Sequence, residues 1–308
     1  MNRSHIYLKL IATTFMWAAV FHIGKFAVSN MPPGYVSAWR FLLAAVVLLA
    51  LTRWRDGLDP ATLRRNAPAL LAMSAIGVVG FNVGMSYGLR ETSAVNGALI
   101  MAFSPALTAV LAALVAGESI SSRKITGLVL ALAGVTVVVS KGSLHTLTQM
   151  SFSRGDLMVL LGEVGWSIYS VIPKRFVHGL TTTQITVSTV TGGALMLAVF
   201  GSVEPASAGL WVMPSVPVAG AIGFMGLFGS VLAYLWWNEG LGKLGAASGA
   251  VFINLVPVWA TLIGLALGQE VSSAQWAGAL LVMAGVWWSS RQGTSATRLP
   301  LNALAQPK

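Results

Sequence analysis

Few side chains in this 308-residue sequence are equipped for chemistry, and those few sit inside long apolar runs. Glu163 is the one acid well inside such a run. There it can hold an ammonium group, or carry a proton if burial raises its affinity for one. Lys25 and Arg40 are the two cations inside apolar runs, and both read as snorkelling or pairing side chains. Asn82, Asn96, Asn238 and Asn254, Ser86 and Ser104, and Tyr87 and Tyr169 are neutral polar groups at the same depth. Such groups are costly in lipid and face an interior. Trp17 and Trp166 offer large apolar plates, each with one donor. The four histidines, His5, His22, His145 and His178, have no metal-ligand spacing, and there is no cysteine. No GxSxG or HExxH pattern occurs, so an enzyme, a bound metal and a cofactor are not expected.

The elements that must position these residues follow from composition. Hydrophobic residues make up 56% of the chain and charged residues 9%, against about a quarter charged in a soluble domain. The apolar excess therefore faces lipid. About 20 apolar residues are needed to cross a bilayer as a helix. Ten runs qualify, near 6–28, 34–52, 68–89, 93–116, 124–140, 157–177, 183–203, 215–237, 245–268 and 272–290. Strand alternation is absent, which excludes a β-barrel. The N-terminal run reads as a first membrane helix and not as a removed signal peptide. The net charge of +10 is a matter of topology, not of nucleic-acid binding. Fourteen of the nineteen Lys and Arg residues fall on one side of this ten-span arrangement. Only Arg90, Lys141 and Arg154 fall on the other, so both termini are expected in the cytoplasm of a bacterial-type inner membrane.

The chain also repeats itself. Trp17 and Lys25 are spaced like Trp166 and Lys174. Gly88, Gly97, Pro105 and Glu118 correspond to Gly240, Gly249, Pro257 and Glu270, all at an offset of 152, and Ala133-Gly134-Val135 corresponds to Ala284-Gly285-Val286. Five helices per copy is an odd number, so the second copy enters the membrane inverted, as in many secondary transporters. The expected organisation is a first five-helix repeat at 1–145, a second at 150–292, and a cytoplasmic, disordered tail at 293–308. The fold class is thus an all-α membrane protein of ten helices in two inverted repeats around a central cavity.

These paired features carry a resemblance. The chain resembles the drug/metabolite transporter superfamily in its ten-helix, two-repeat (EamA-like) branch. The resemblance rests on the paired tryptophans, the small-residue helices interrupted by Pro105 and Pro257, and the Gly-Glu118 and Gln-Glu270 turns. Within the branch it is similar to bacterial exporters of aromatic and other apolar amino acids. Membership implies a basket-like bundle with a central cavity and, mostly, export of metabolites.

Trp17, Asn82, Tyr87, Asn96, Met101, Glu163, Trp166, Tyr169, Trp237 and Asn254 are the expected substrate-binding residues. Pro105 and Pro257 each remove a helical hydrogen bond and are the expected hinges. The expected substrate is an amino acid and the other partner is the bilayer; nothing in the sequence specifies an oligomeric state. A multidrug or organic-cation exporter is the alternative that Glu163 and the aromatic residues permit. A carrier of phosphorylated metabolites fits less well, because helices four and nine contain no Lys or Arg.

Overall fold

The computed structural model describes residues 3–55, 57, 59–92, 94–149, 152–203 and 212–290. The tail expected at 293–308 lies outside the described residues, as do the side chains of Asn96 and Trp54 and all of Trp211.

Ten long helices form. α1 is Arg3–Asn30 and α2 is Pro33–Arg55. α3 covers residues 60–91 as Pro60–Ala72, a π-helical stretch Met73–Gly80, and Phe81–Glu91. α4 covers 94–116, broken at Phe103 into Ala94–Ala102 and Ser104–Ala116. α5 is Ser122–Ser140, α6 Arg154–Phe176 and α7 Thr182–Ser202. α8 is Val216–Leu244 with a π-helical stretch Met225–Leu232. α9 is Ala246–Ala266 with a 3₁₀ turn at Val251–Asn254, and α10 is Ser273–Ser290. Among the described residues nine of these are long and apolar enough to cross a membrane by length and composition. α10, at 18 residues, is about 27 Å long at 1.5 Å per residue. It packs along the length of α5, so it completes the set of ten.

Three expectations about boundaries are corrected. α3 begins at Pro60 and not near 68, because Asp59 caps it and Pro60 supplies a preset first turn. The Asp59 carboxylate accepts from the amides of Ala61 and Thr62 and from the Thr62 hydroxyl. These bonds hold its pKa below the usual carboxylate value. Arg64 and Arg65 therefore sit on helix and not in a loop. α8 continues past 237 to Leu244, carrying Glu239 and Lys243 on its last turns. A short helix, Leu144–Thr148, follows α5 under a Ser143 cap.

The helices interlock across the two repeats. α2 packs on α7 and α5 on α10, each helix against its own counterpart. α1 packs on α8 and α9 of the second copy, and α6 packs on α3 and α4 of the first. The α5–α10 pair shows how sequence sets the approach. Glycines at 127, 134, 278 and 285 put backbone against backbone. A Cβ on Gly134 would lie 2.7 Å from the Gly278 carbonyl oxygen, and one on Gly285 would lie 2.6 Å from that of Gly127. Close approach of this kind is the main source of helix association where lipid removes the hydrophobic drive. Gly134→Leu and Gly285→Leu are each expected to force the pair apart, at roughly 1–3 kcal/mol. Unfolding in detergent should show each variant's midpoint lowered. An unchanged midpoint in both would contradict this role.

The two π-helical stretches are themselves related by the 152-residue offset, Met73–Gly80 onto Met225–Leu232. Each contains a glycine that receives a side chain from the helix of the other copy. Tyr169 lies on Gly77, and Val20, its counterpart at an offset of 149, lies on Gly229. Both widened turns therefore serve the centre of the bundle.

Candidate functional site

Where α1, α3, α6 and α8 meet, the centre is filled by rings. Trp17 and Trp166, the repeat counterparts, touch edge to face with centroids 5.4 Å apart. Trp237 lies 5.2 Å from Trp17 and 5.9 Å from Trp166. Tyr169 stacks flat on Trp166 at 5.2 Å and 8°. Tyr234 stands 5.5 Å from Trp166, and Phe81 stands 5.2 Å from it. The sequence puts them there by simple spacing. Trp166 and Tyr169 are three apart on α6, and Tyr234 and Trp237 are three apart on α8, so each pair shares a helix face. Four of the ten expected binding residues, Trp17, Trp166, Tyr169 and Trp237, are thus brought together.

Polar groups line this cluster on two sides. Asn238 donates to the Tyr169 hydroxyl at 2.8 Å and to Thr186 Oγ1 at 2.9 Å, which ties α6, α7 and α8 together. Asn82 is buried and donates to the Val78 carbonyl within the π-helical stretch. It lies against Tyr234, its own counterpart at an offset of 152. Glu163 is one turn before Trp166, only 2% exposed, with Ser104 beside it. Among the described residues no cation reaches it. Trp237 Nε1 and both side-chain polar atoms of Asn254 are buried without a hydrogen-bond partner. In a protein interior such groups cost about 1–3 kcal/mol each.

The remaining expected residues lie differently. Tyr87 packs on Phe200 at 5.9 Å and under Arg90 at 5.4 Å, at the end of α3 and outside the ring cluster. Met101 is partly buried two residues before the break in α4. The side chain of Asn96 lies outside the described residues. Pro105 follows the α4 break at Phe103, and Pro257 follows the 3₁₀ turn in α9, so both expected hinges sit beside real interruptions.

Two participants were not expected from the sequence. Tyr234 belongs to the cluster but follows an apolar run with no polar periodicity to single it out. Arg40 does not snorkel. Its Nε donates to Ser230 Oγ at 2.7 Å in the π-helical part of α8, and its guanidinium lies 5.0 Å from the Phe41 ring. The signal was present as a cation inside an apolar run.

A different arrangement closes one face of the bundle. Glu118, at the end of α4, accepts from the amides of Ala246 and Ala247 at 3.0 and 3.2 Å, at the start of α9. Lys174 donates to the same carboxylate at 3.1 Å. Gly245, at φ +88°, provides the turn that aims these amides. Around this clasp Ala109, Ala112, Val171, Ala246 and Ala247 pack as a small core. The counterpart residues on the opposite face are Glu270 and Lys25, and both are exposed. The first half of α4 packs on α5 and α6, and the second half of α9 packs on α1, α5 and α10. Among the described residues Glu270 and Lys25 form no ion pair of the kind that joins Glu118 to Lys174.

Known proteins place this architecture. The profile of the EamA-like transporter family matches the chain twice, over residues 5–140 and 153–291. The chain belongs to the EamA-like transporter family. The uncharacterized transporter YyaM of Bacillus subtilis is 38% identical to this EamA-like chain over 290 residues, covering 94% of it and 95% of YyaM. An uncharacterized transporter of Archaeoglobus fulgidus is 26% identical over 290 residues, covering 93% of the chain and 96% of that protein. A solved crystal structure superposes with a TM-score of 0.78 at 21% identity, covering 94% of this chain and 97% of that one, which shows the fold. The two profile matches correspond to the two copies of the repeat. The chain is therefore a multi-pass membrane transporter.

Proposed function

We propose that this EamA-family transporter exports amino acids with aromatic or other apolar side chains across a bacterial-type cytoplasmic membrane, by alternating access. The observation that carries this reading is the contact between Trp17 and Trp166 at the meeting point of the two copies, with the Glu163 carboxyl one turn from Trp166. The rings accept an apolar side chain, and the carboxylate accepts an ammonium group. Glu163 also suits an organic cation, which is the second reading. Proteoliposomes containing the purified protein separate the two. Saturable flux of labelled tryptophan, methionine or threonine, resistant to a sugar phosphate and a quaternary amine, is the expected result. Competition only among cations, with no amino-acid flux, would transfer the protein to the organic-cation class.

The unequal faces support a particular cycle. By the distribution of Lys and Arg, the face bearing Glu118, Lys174 and Lys243 is cytoplasmic. The conformation described is then closed to the cytoplasm, with the Glu270 side released. In the opposite state Glu270 would take the amides at the start of α4 and pair with Lys25, while Glu118 lets go. The moving bodies would be the interlocked groups α1–α8–α9 and α6–α3–α4, since helix packing does not follow the sequence halves 1–145 and 150–292. The interruptions at Phe103 and Val251–Asn254 would let α4 and α9 bend. Replacing both prolines (Pro105→Ala with Pro257→Ala) restores two backbone donors and should slow transport while leaving substrate affinity nearly unchanged. Flux equal to that of the parent protein would remove the hinge role.

A further inference from the structure

Arg40 is a cation inside the bundle with no acidic partner among the described residues. It lies on α2 and reaches across to the middle of α8, where Nε donates to Ser230 Oγ at 2.7 Å. The space it occupies exists because residue 229 is glycine: a Cβ there would come within 3.4 Å of Nη2. Phe41 supports the guanidinium from one side at 5.0 Å. A guanidinium has five donors, and the Nε–H is the one with an acceptor among the described residues. No carboxylate pairs with it among the described residues, in contrast to Lys9, Lys174 and Lys243, each of which has one. Its terminal nitrogens have no acceptor among the described residues, and they are not among the fully buried atoms that lack a partner. Tyr234, one turn after Ser230 on α8, lies within electrostatic reach of Arg40, and its hydroxyl is bonded to Asn82.

An intramembrane cation without a counter-ion is expensive to keep, and a planar fork of donors without acceptors matches a carboxylate. We infer that Arg40, assisted by the Tyr234 hydroxyl, is the receptor for the substrate's carboxylate, with the substrate's side chain directed to the Trp17–Trp166 plates. This rests on the amino-acid reading above and sharpens it, since the transported species must carry an anionic group as well as an apolar one. The same geometry disfavours a simple organic cation, which would meet the guanidinium with like charge. It also disfavours a phosphorylated metabolite, whose two or more negative charges would meet one fixed cation.

The test uses the intact protein in proteoliposomes and varies the probe before the protein. Against labelled tryptophan, the inhibitors are tryptophan amide and tryptamine, which lack the carboxylate, and indole-3-propionate, which lacks the ammonium. In the parent protein indole-3-propionate should compete, and the two carboxylate-free compounds should compete at least about 10-fold less well than tryptophan. In Arg40→Gln the KM for tryptophan should rise by roughly 30-fold or more, and tryptamine should inhibit as well as tryptophan does. Arg40→Lys keeps the charge but loses the fork, and should recover only part of the affinity. Tryptamine matching tryptophan in the parent protein, or an unchanged KM in Arg40→Gln, overturns the inference while leaving amino-acid transport standing. Saturable uptake of indole-3-propionate without amino-acid flux, abolished in Arg40→Gln, would uphold the carboxylate receptor and discard the amino-acid reading.

Discussion

Glu163→Gln should cut amino-acid flux by about 10- to 100-fold while raising the protein's thermal stability. The two effects have one origin. Glu163 is 2% exposed on α6 and has no cationic partner among the described residues. A carboxyl kept in such a place is a burden on folding, because a buried charge without a partner carries a desolvation penalty of several kcal/mol. Glutamine has the same shape and keeps the packing against Ser104, but it holds neither a charge nor a titrating proton. Folding should therefore gain, and a substrate ammonium should lose the group that meets it, a loss of the size seen when one partner of a desolvated charge pair is removed. Flux and melting temperature are both read on the same purified variant. A variant that melts higher and transports at the parent rate would reduce Glu163 to a packing residue.

The second large effect concerns the clasp. Glu118 is the more buried member of its ion pair, with a side chain 6% exposed against 52% for Lys174, and it holds two amides at the start of α9. Hydrogen bonds to a charged group are worth about 1.5–3 kcal/mol each, so losing them should move the balance between the two faces by at least about 10-fold. The chain has no cysteine, so a single cysteine placed at Ala247 reports opening through its labelling rate. In Glu118→Ala that cysteine should react with maleimide at least about 10-fold faster than in the parent background. Glu270→Ala should leave the labelling rate low and still suppress transport, because in the proposed cycle its contacts form in the opposite state. Equal labelling in the parent and Glu118→Ala backgrounds would show that α9 is held closed by something other than this carboxylate.

Much of this was legible in the sequence for physical reasons. Ten spans follow from the length of helix needed to cross lipid, and the inverted repeat follows from paired residues at one offset with an odd helix number. Trp17 and Trp166 could be named because they are large, paired and in mid-span. Hidden from view were features that depend on how one helix approaches another. The π-helical stretches have no local sequence signature beyond their glycines, yet they decide where Tyr169 and Arg40 fit. Arg40 reads as a snorkelling or pairing side chain, and the choice between them stays open because periodicity gives depth but not the direction of the side chain. Tyr87 is the opposite case: a polar aromatic residue at suitable depth whose ring is spent on Phe200 and Arg90 at the helix end. Glu118 was visible as a repeated turn residue, but its attachment to a helix 128 residues away depends on tertiary structure.

The most direct test of the account is a pair of distance measurements on spin-labelled protein in lipid. One pair, Ser119→Cys with Ser248→Cys, spans the Glu118 face, and the other, Glu91→Cys with Leu267→Cys, spans the Glu270 face. Tryptophan should shift population so that the first distance lengthens as the second shortens, and a quaternary amine should not. Two distances that stay fixed with tryptophan, or that change in the same direction, would contradict an amino-acid transporter working by exchange between its two clasps.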